Sequence, residues 1–108
     1  MVYKRNFVNV SIVFYDKNSS KNIDKNKLEI FIRLIKNLEH NNFIKKILII
    51  DNSPSNLIKN KLFEFQKVKY LFCKKNIGFG KGHNLSIKVL EKQKYHLILN
   101  PDIVIEDN

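Results

Sequence analysis

The sequence predicts an α/β domain, a mostly parallel sheet with helices on both faces. Three observations carry that expectation. Runs of strand length alternate with runs of helix length through nearly the whole chain. Three of the strand-length runs are continuously apolar, as strands buried on both faces are. Turn-forming residues such as Asp51, Asn52, Ser53 and Pro54 close the runs.

Taken in order, "VNVSIVFYD" (8–16) is rich in β-branched and aromatic residues and gives way to polar "KNSSKN", which reads as a buried strand and a loop. "IDKNKLEIFIRLIKNLEH" then sets Leu28, Phe31, Ile32, Ile35 and Leu38 on one stripe at helical spacing. Asp24 suits the N-cap, and Ile23 and Leu28 occupy the two positions of a hydrophobic staple. "IKKILIID" (44–51) is a second strand, closed by Asp51 and "NSPS". Ser55 could cap a short helix through "NLIKNKLFEFQ", with Leu57, Ile58, Leu62 and Phe65 inward. "KVKYLFC" (67–73) reads as a third strand, "HNLSIKVLEKQ" as a short helix after a glycine-rich loop, and "YHLILN" (95–100) as a fourth strand stopped by Pro101.

At 108 residues the chain fits one domain, 1–108. The net charge of +10 favours anionic partners. The lysines are scattered, and only two basic residues are arginine, the side chain best suited to bidentate base readout. A solvated lysine surface and a membrane-facing patch therefore stay ahead of nucleic acid, which is not expected as a partner. No stretch approaches the roughly 18 apolar residues of a membrane span, and "MVYKRNFVNV" lacks a secretory apolar run. With Cys73 alone, no disulfide can form within the chain, so a reducing cytoplasmic location is expected, with peripheral attachment to the inner face of the membrane as an option.

In a parallel sheet the strand C-terminal ends share one edge, outside which ligands bind. Four polar clusters would meet there: Tyr15-Asp16, Asp51-Asn52-Ser53, Asn76 to Asn84, and Asn100-Pro101-Asp102. Each also has a plain reading. Asp51 can serve a turn; Tyr15 can be a core-edge aromatic. Gly78, Gly80 and Gly82 can supply positive φ angles. His83 can satisfy a local hydrogen bond, Asn100-Pro101-Asp102 can be a turn, and Cys73 a small buried hydrophobe. The glycine spacing matches neither G-x-G-x-x-G nor G-x-x-x-x-G-K-[ST].

"VSIVFYD", "ILIIDNSPSN", "KNIGFGKGHNLSI" and "HLILNPDIVI" together resemble the nucleotide-binding half of family 2 glycosyltransferases, most closely the bacterial rhamnosyltransferases of surface polysaccharide synthesis. The resemblance implies a Rossmann-like partial GT-A fold binding a nucleoside-diphosphate sugar, dTDP-rhamnose in that branch, for inverting transfer. Tyr15 and Asp51 would line the nucleoside pocket; Asn76, Gly78, Gly80, Gly82, His83 and Asn84 would shape the donor site. Asn100 stands where the family has the first aspartate of its metal motif, which leaves Asp102 to hold a divalent cation, Mg²⁺ or Mn²⁺. The family's catalytic base lies further downstream, and Glu106 and Asp107 read as a solvated tail; the resemblance therefore implies a donor half with little or no activity alone, either truncated, trimmed, or split with a separate chain supplying the acceptor half. Two alternatives stand beside this reading: a non-functional remnant with an exposed apolar sheet edge, and a basic module for anionic membrane or a partner protein.

Overall fold

The computed structural model describes residues 7–17 and 23–105. The polar segment 18–22 and the tail with Glu106 and Asp107 lie outside the described residues. Four strands, β1 (Val8–Phe14), β2 (Ile44–Asp51), β3 (Val68–Phe72) and β4 (Tyr95–Leu99), form one sheet in the order β3-β2-β1-β4. Every pairing is parallel, so the expected mostly parallel sheet is wholly so. Among the described residues two α-helices, α1 (Lys25–Glu39) and α2 (Phe79–Val89), pack on opposite faces. The α/β class and the Rossmann-like arrangement expected from the sequence are therefore present.

Strand alternation explains the two-sided core. Val10, Ile12, Phe14, Ile47 and Ile49 meet Phe31, Leu34, Ile35 and Leu38 of α1. Val13, Leu48 and Ile50 point the other way and cluster with Leu90, just past the end of α2. Phe14 and Phe31 stack at a tilt with centroids 4.8 Å apart, a geometry that suits the ring quadrupoles.

Asp24 caps α1 as expected, its carboxylate accepting from the Asn26 and Lys27 amides at 2.9 and 3.2 Å. Ile23 and Leu28 both pack against the α1-side core. The helix expected after Ser55 is absent; only a 3-10 turn, Lys59–Lys61, forms there. Ile58, Leu62 and Phe65 are nonetheless buried, while Leu57 is exposed. Three anchors over eight residues can be buried by a turn, and so short a segment is a marginal helix on its own. The second full helix starts inside the expected glycine loop, at Phe79. Its apolar Ile87 and Val89 are exposed. Among the described residues no helix is long and apolar enough to cross a membrane.

Candidate functional site

All four polar clusters fall at the C-terminal edge of the sheet, but they are not equivalent. On the β2–β3 side the edge is knotted shut. Asp51 is fully buried: one carboxylate oxygen accepts from the Ser53 amide at 3.0 Å and the other from the Tyr70 hydroxyl at 2.5 Å. Burial, then the bond to Asp51, pushes the Tyr70 hydroxyl far up, so it stays a donor. Burial, followed by the charge of Asp51, also raises the Cys73 thiol, which is half-buried at the end of β3 as a small hydrophobe.

Asn52 ties the next loop down. Its amide nitrogen donates to Asn76 Oδ1 at 3.3 Å and to the Gly78 carbonyl at 3.4 Å, and Asn76 Oδ1 also accepts from the Gly78 amide at 2.9 Å. Asn52 Oδ1 is buried without a partner. Gly78 sits at φ +89°, a conformation that L side chains rarely adopt. It starts α2 without a side-chain cap.

On the β1–β4 side the edge is open. Strands two and three lie on one side of β1 and strand four on the other, so the strand order reverses between β1 and β4. Such a switch point leaves a crevice outside the strand ends. Tyr15, with an exposed ring, stands at the β1 rim, its carbonyl taking a bond from Lys27. Asp16 is buried, and its amide donates to Ser53 Oγ at 2.9 Å, joining the loops after β1 and β2. Asn100 and Asp102 are exposed on the β4 rim, in a turn closed by the Ile103 amide on the Asn100 carbonyl at 3.4 Å.

Tyr15, Asn100 and Asp102 thus stand just past the ends of the adjacent strands β1 and β4, while Asp51, Asn76 and Gly78 belong to the neighbouring knot. The remaining expected site residues lie elsewhere. Gly80, Gly82, His83 and Asn84 are helical. Gly82 lets α2 approach the sheet: a Cβ there would come within 2.6 Å of Val13 Cγ2. Asn84 is exposed on α2. His83 is buried against β1.

The structure also assembles a polar cluster that the sequence reading missed. Ser11 Oγ lies 2.6 Å from His83 Nδ1 and 3.0 Å from His96 Nε2; Ser86 Oγ lies 3.0 Å from the same His96 nitrogen and 2.7 Å from the His83 carbonyl. Proton counting assigns the roles. Ser86 donates to the carbonyl, so His96 Nε2 must carry the proton shared between the two hydroxyl oxygens. The Ser11 hydroxyl can then donate to His83 Nδ1; His83 Nε2 is a buried atom without a partner. Burial lowers the pKa of both rings, and His96 lowers that of His83 further. Asn9 and Ser11, the polar residues alternating with valines in "VNVSIVF", were the available signal.

Among the described residues no three His, Cys, Asp or Glu side chains come together to hold a metal ion.

No family model and no solved structure matches the chain. Over 91 residues, 80% of its length, it is 40% identical to the release factor glutamine methyltransferase of Borreliella burgdorferi. It spans 30% of that relative's length. This match overturns the glycosyltransferase resemblance, and with it the nucleotide-sugar donor, the rhamnosyl transfer and the role in polysaccharide synthesis. The physical source of the error is plain: parallel α/β sheets gather polar turns at one edge whatever chemistry they serve. Neither the remnant nor the basic-module alternative gains support.

Proposed function

We propose that this chain forms the donor-binding layer of a methyltransferase-type α/β protein, taking a nucleoside-bearing methyl donor of the S-adenosylmethionine kind in the β1–β4 crevice. The observation that carries the reading is the 40% identity to a methyltransferase over most of the chain. The reversal of strand order between β1 and β4 supports this reading, since parallel sheets bind ligands outside the strand ends at such a switch point.

The residues present fit such a ligand. The exposed Tyr15 ring offers a face for a nucleobase. The exposed Asp102 carboxylate offers acceptors for ribose hydroxyls. A bound sulfonium donor would supply an activated methyl group. The relative's name makes a glutamine side chain its acceptor; an amide acceptor for this chain rests on that likeness alone. As the chain spans 30% of the relative, the transfer step is assigned to no residue here.

Titration calorimetry with S-adenosylhomocysteine tests the reading, with dTDP and UDP as controls. Saturable binding at one site is expected, weakened about tenfold or more by Asp102→Ala, the scale of losing a hydrogen bond to a charged group. A cooperatively folded protein that shows no saturation, or that prefers dTDP, overturns it.

A further inference from the structure

A cavity of about 370 Å³ opens on the α2 face of the sheet, lined by Asn9 of β1, His96 of β4 and Ser86 of α2. Asn9 and His96 each follow the first residue of their strand and stand side by side in the parallel register. The cavity therefore lies near the N-terminal ends of β1 and β4, away from the crevice past their C-terminal ends. The exposed Ile87 adds an apolar wall, and the exposed Lys92 and Lys94 line it as well. None of the described residues that line it is acidic.

Two of these side chains carry an acceptor that no donor meets. Asn9 is 2% exposed, and its Nδ2 donates to the Glu91 carbonyl at 2.7 Å. Turning that amide over would set two oxygens against each other, so the bond fixes which atom is which. Asn9 Oδ1 is then a buried oxygen without a partner, which is uncommon in a folded protein. His96 supplies the second acceptor. Its Nε2 carries the proton shared with Ser11 and Ser86, and burial keeps the ring neutral at ordinary pH. Nδ1 is then the unprotonated nitrogen, and among the described residues nothing donates to it.

Neighbouring acceptors call for a ligand with two donors, and the surroundings select the kind. An ammonium or guanidinium group would meet Lys92 and Lys94 and find no carboxylate. Hydroxyls donate without charge, and the lysines suit an anion at the other end of the ligand. Lys94 also holds its ammonium 5.7 Å from the Tyr95 ring, which leaves Lys92 as the charge to test. The volume is in the range of small-molecule sites. We propose that this cavity binds a small polyhydroxylated phosphate of the sugar-phosphate kind, its hydroxyls donating to Asn9 Oδ1 and His96 Nδ1 and its phosphate beside Lys92. The site is separate from the crevice given to the methyl donor and does not rest on that reading. For so small a ligand the dissociation constant is expected to be about 10⁻³ M.

Titration of the isotope-labelled full chain with ribose 5-phosphate, followed by NMR, is the test, with ribose and inorganic phosphate as separate controls. Saturable shifts are expected at Asn9, His96 and Lys92, whether or not S-adenosylhomocysteine binds elsewhere. Lys92→Glu changes an exposed side chain and should weaken binding about tenfold. Asn9→Leu removes the unmet oxygen and should weaken it by a similar factor. If Asn9→Leu fails to fold, the unaltered protein decides: the Asn9 side-chain amide signals must move at the same ligand concentration as the Lys92 backbone amide. Absence of saturation would mean that water alone meets these acceptors and would overturn the proposal. So would inorganic phosphate or ribose binding as tightly as ribose 5-phosphate, shifts that bypass Asn9 and His96, or affinity unchanged in the folded variants.

Discussion

Against α1 the sheet presents Val10, Ile12, Phe14, Ile47 and Ile49, an unbroken apolar layer. Against α2 it presents Val13, Leu48 and Ile50, flanked by Asn9 and Ser11. The first face is held by area removed from water, which tolerates small shifts of contact. The second relies on the hydrogen bonds of the Ser11–His83–Ser86–His96 cluster and on the close approach at Gly82. Stability of the α1 side should follow volume, and that of the α2 side should follow hydrogen-bond count and protonation.

The largest expected effect lies on the apolar face. Phe31 is fully buried and contacts Phe14, so Phe31→Ala should cost about 3–5 kcal/mol. Urea denaturation measures this directly, and a loss below ~1 kcal/mol would mean that α1 is not the main buttress of the sheet.

Next comes the polar cluster. Ser11→Ala removes the hydroxyl that serves both imidazoles and strands the buried His83 Nδ1, while His96 Nε2 keeps Ser86, at about 2 kcal/mol. An equal loss for Val10→Ala would erase the distinction drawn here, because area alone would then account for both faces.

Acid should act on the α2 side alone. Both imidazoles have folded pKa values lowered by burial, below the ordinary histidine value near 6.5. Above that value both states hold neutral rings. As pH falls through it, the unfolded chain binds protons that the folded chain refuses, so stability drops until the folded pKa values are reached. The urea midpoint should fall between about pH 7 and 5, and His83→Gln should flatten that slope. A slope unchanged by both His83→Gln and His96→Gln would locate the acid sensitivity elsewhere.

Smaller still is Gly82→Ala. Contact with Val13 Cγ2 argues for an overpacking cost of about 1–3 kcal/mol, offset by up to ~1 kcal/mol of helix propensity, for a net loss of about 1 kcal/mol. Combining it with Val13→Ala should recover part of the loss. The smallest is Asp24→Ala at the start of α1, about 0.5–1 kcal/mol from the lost cap.

What could be read without coordinates was whatever repeats locally. The apolar runs fixed four strands to within two residues at either end, and the Asp24 cap with its staple placed α1. The gathering of polar turns at one edge followed from parallel connectivity alone. Non-local facts were not legible. That Asp51 is consumed by Tyr70 and Ser53, rather than offered to a ligand, depends on the neighbouring strand. The burial of His83 was not legible because its partner Ser11 lies 72 residues away, and His96, which shares that hydroxyl, lies on another strand.

The chain by itself determined the α/β alternation, the extent of most elements and the edge at which their polar ends collect, since these depend on periodicity and on capping chemistry within a few residues. Only the tertiary structure decided which polar residues stay open to a ligand and which are spent holding loops together. A side chain's availability depends on what the rest of the fold brings within hydrogen-bonding distance, and local pattern carries no record of that.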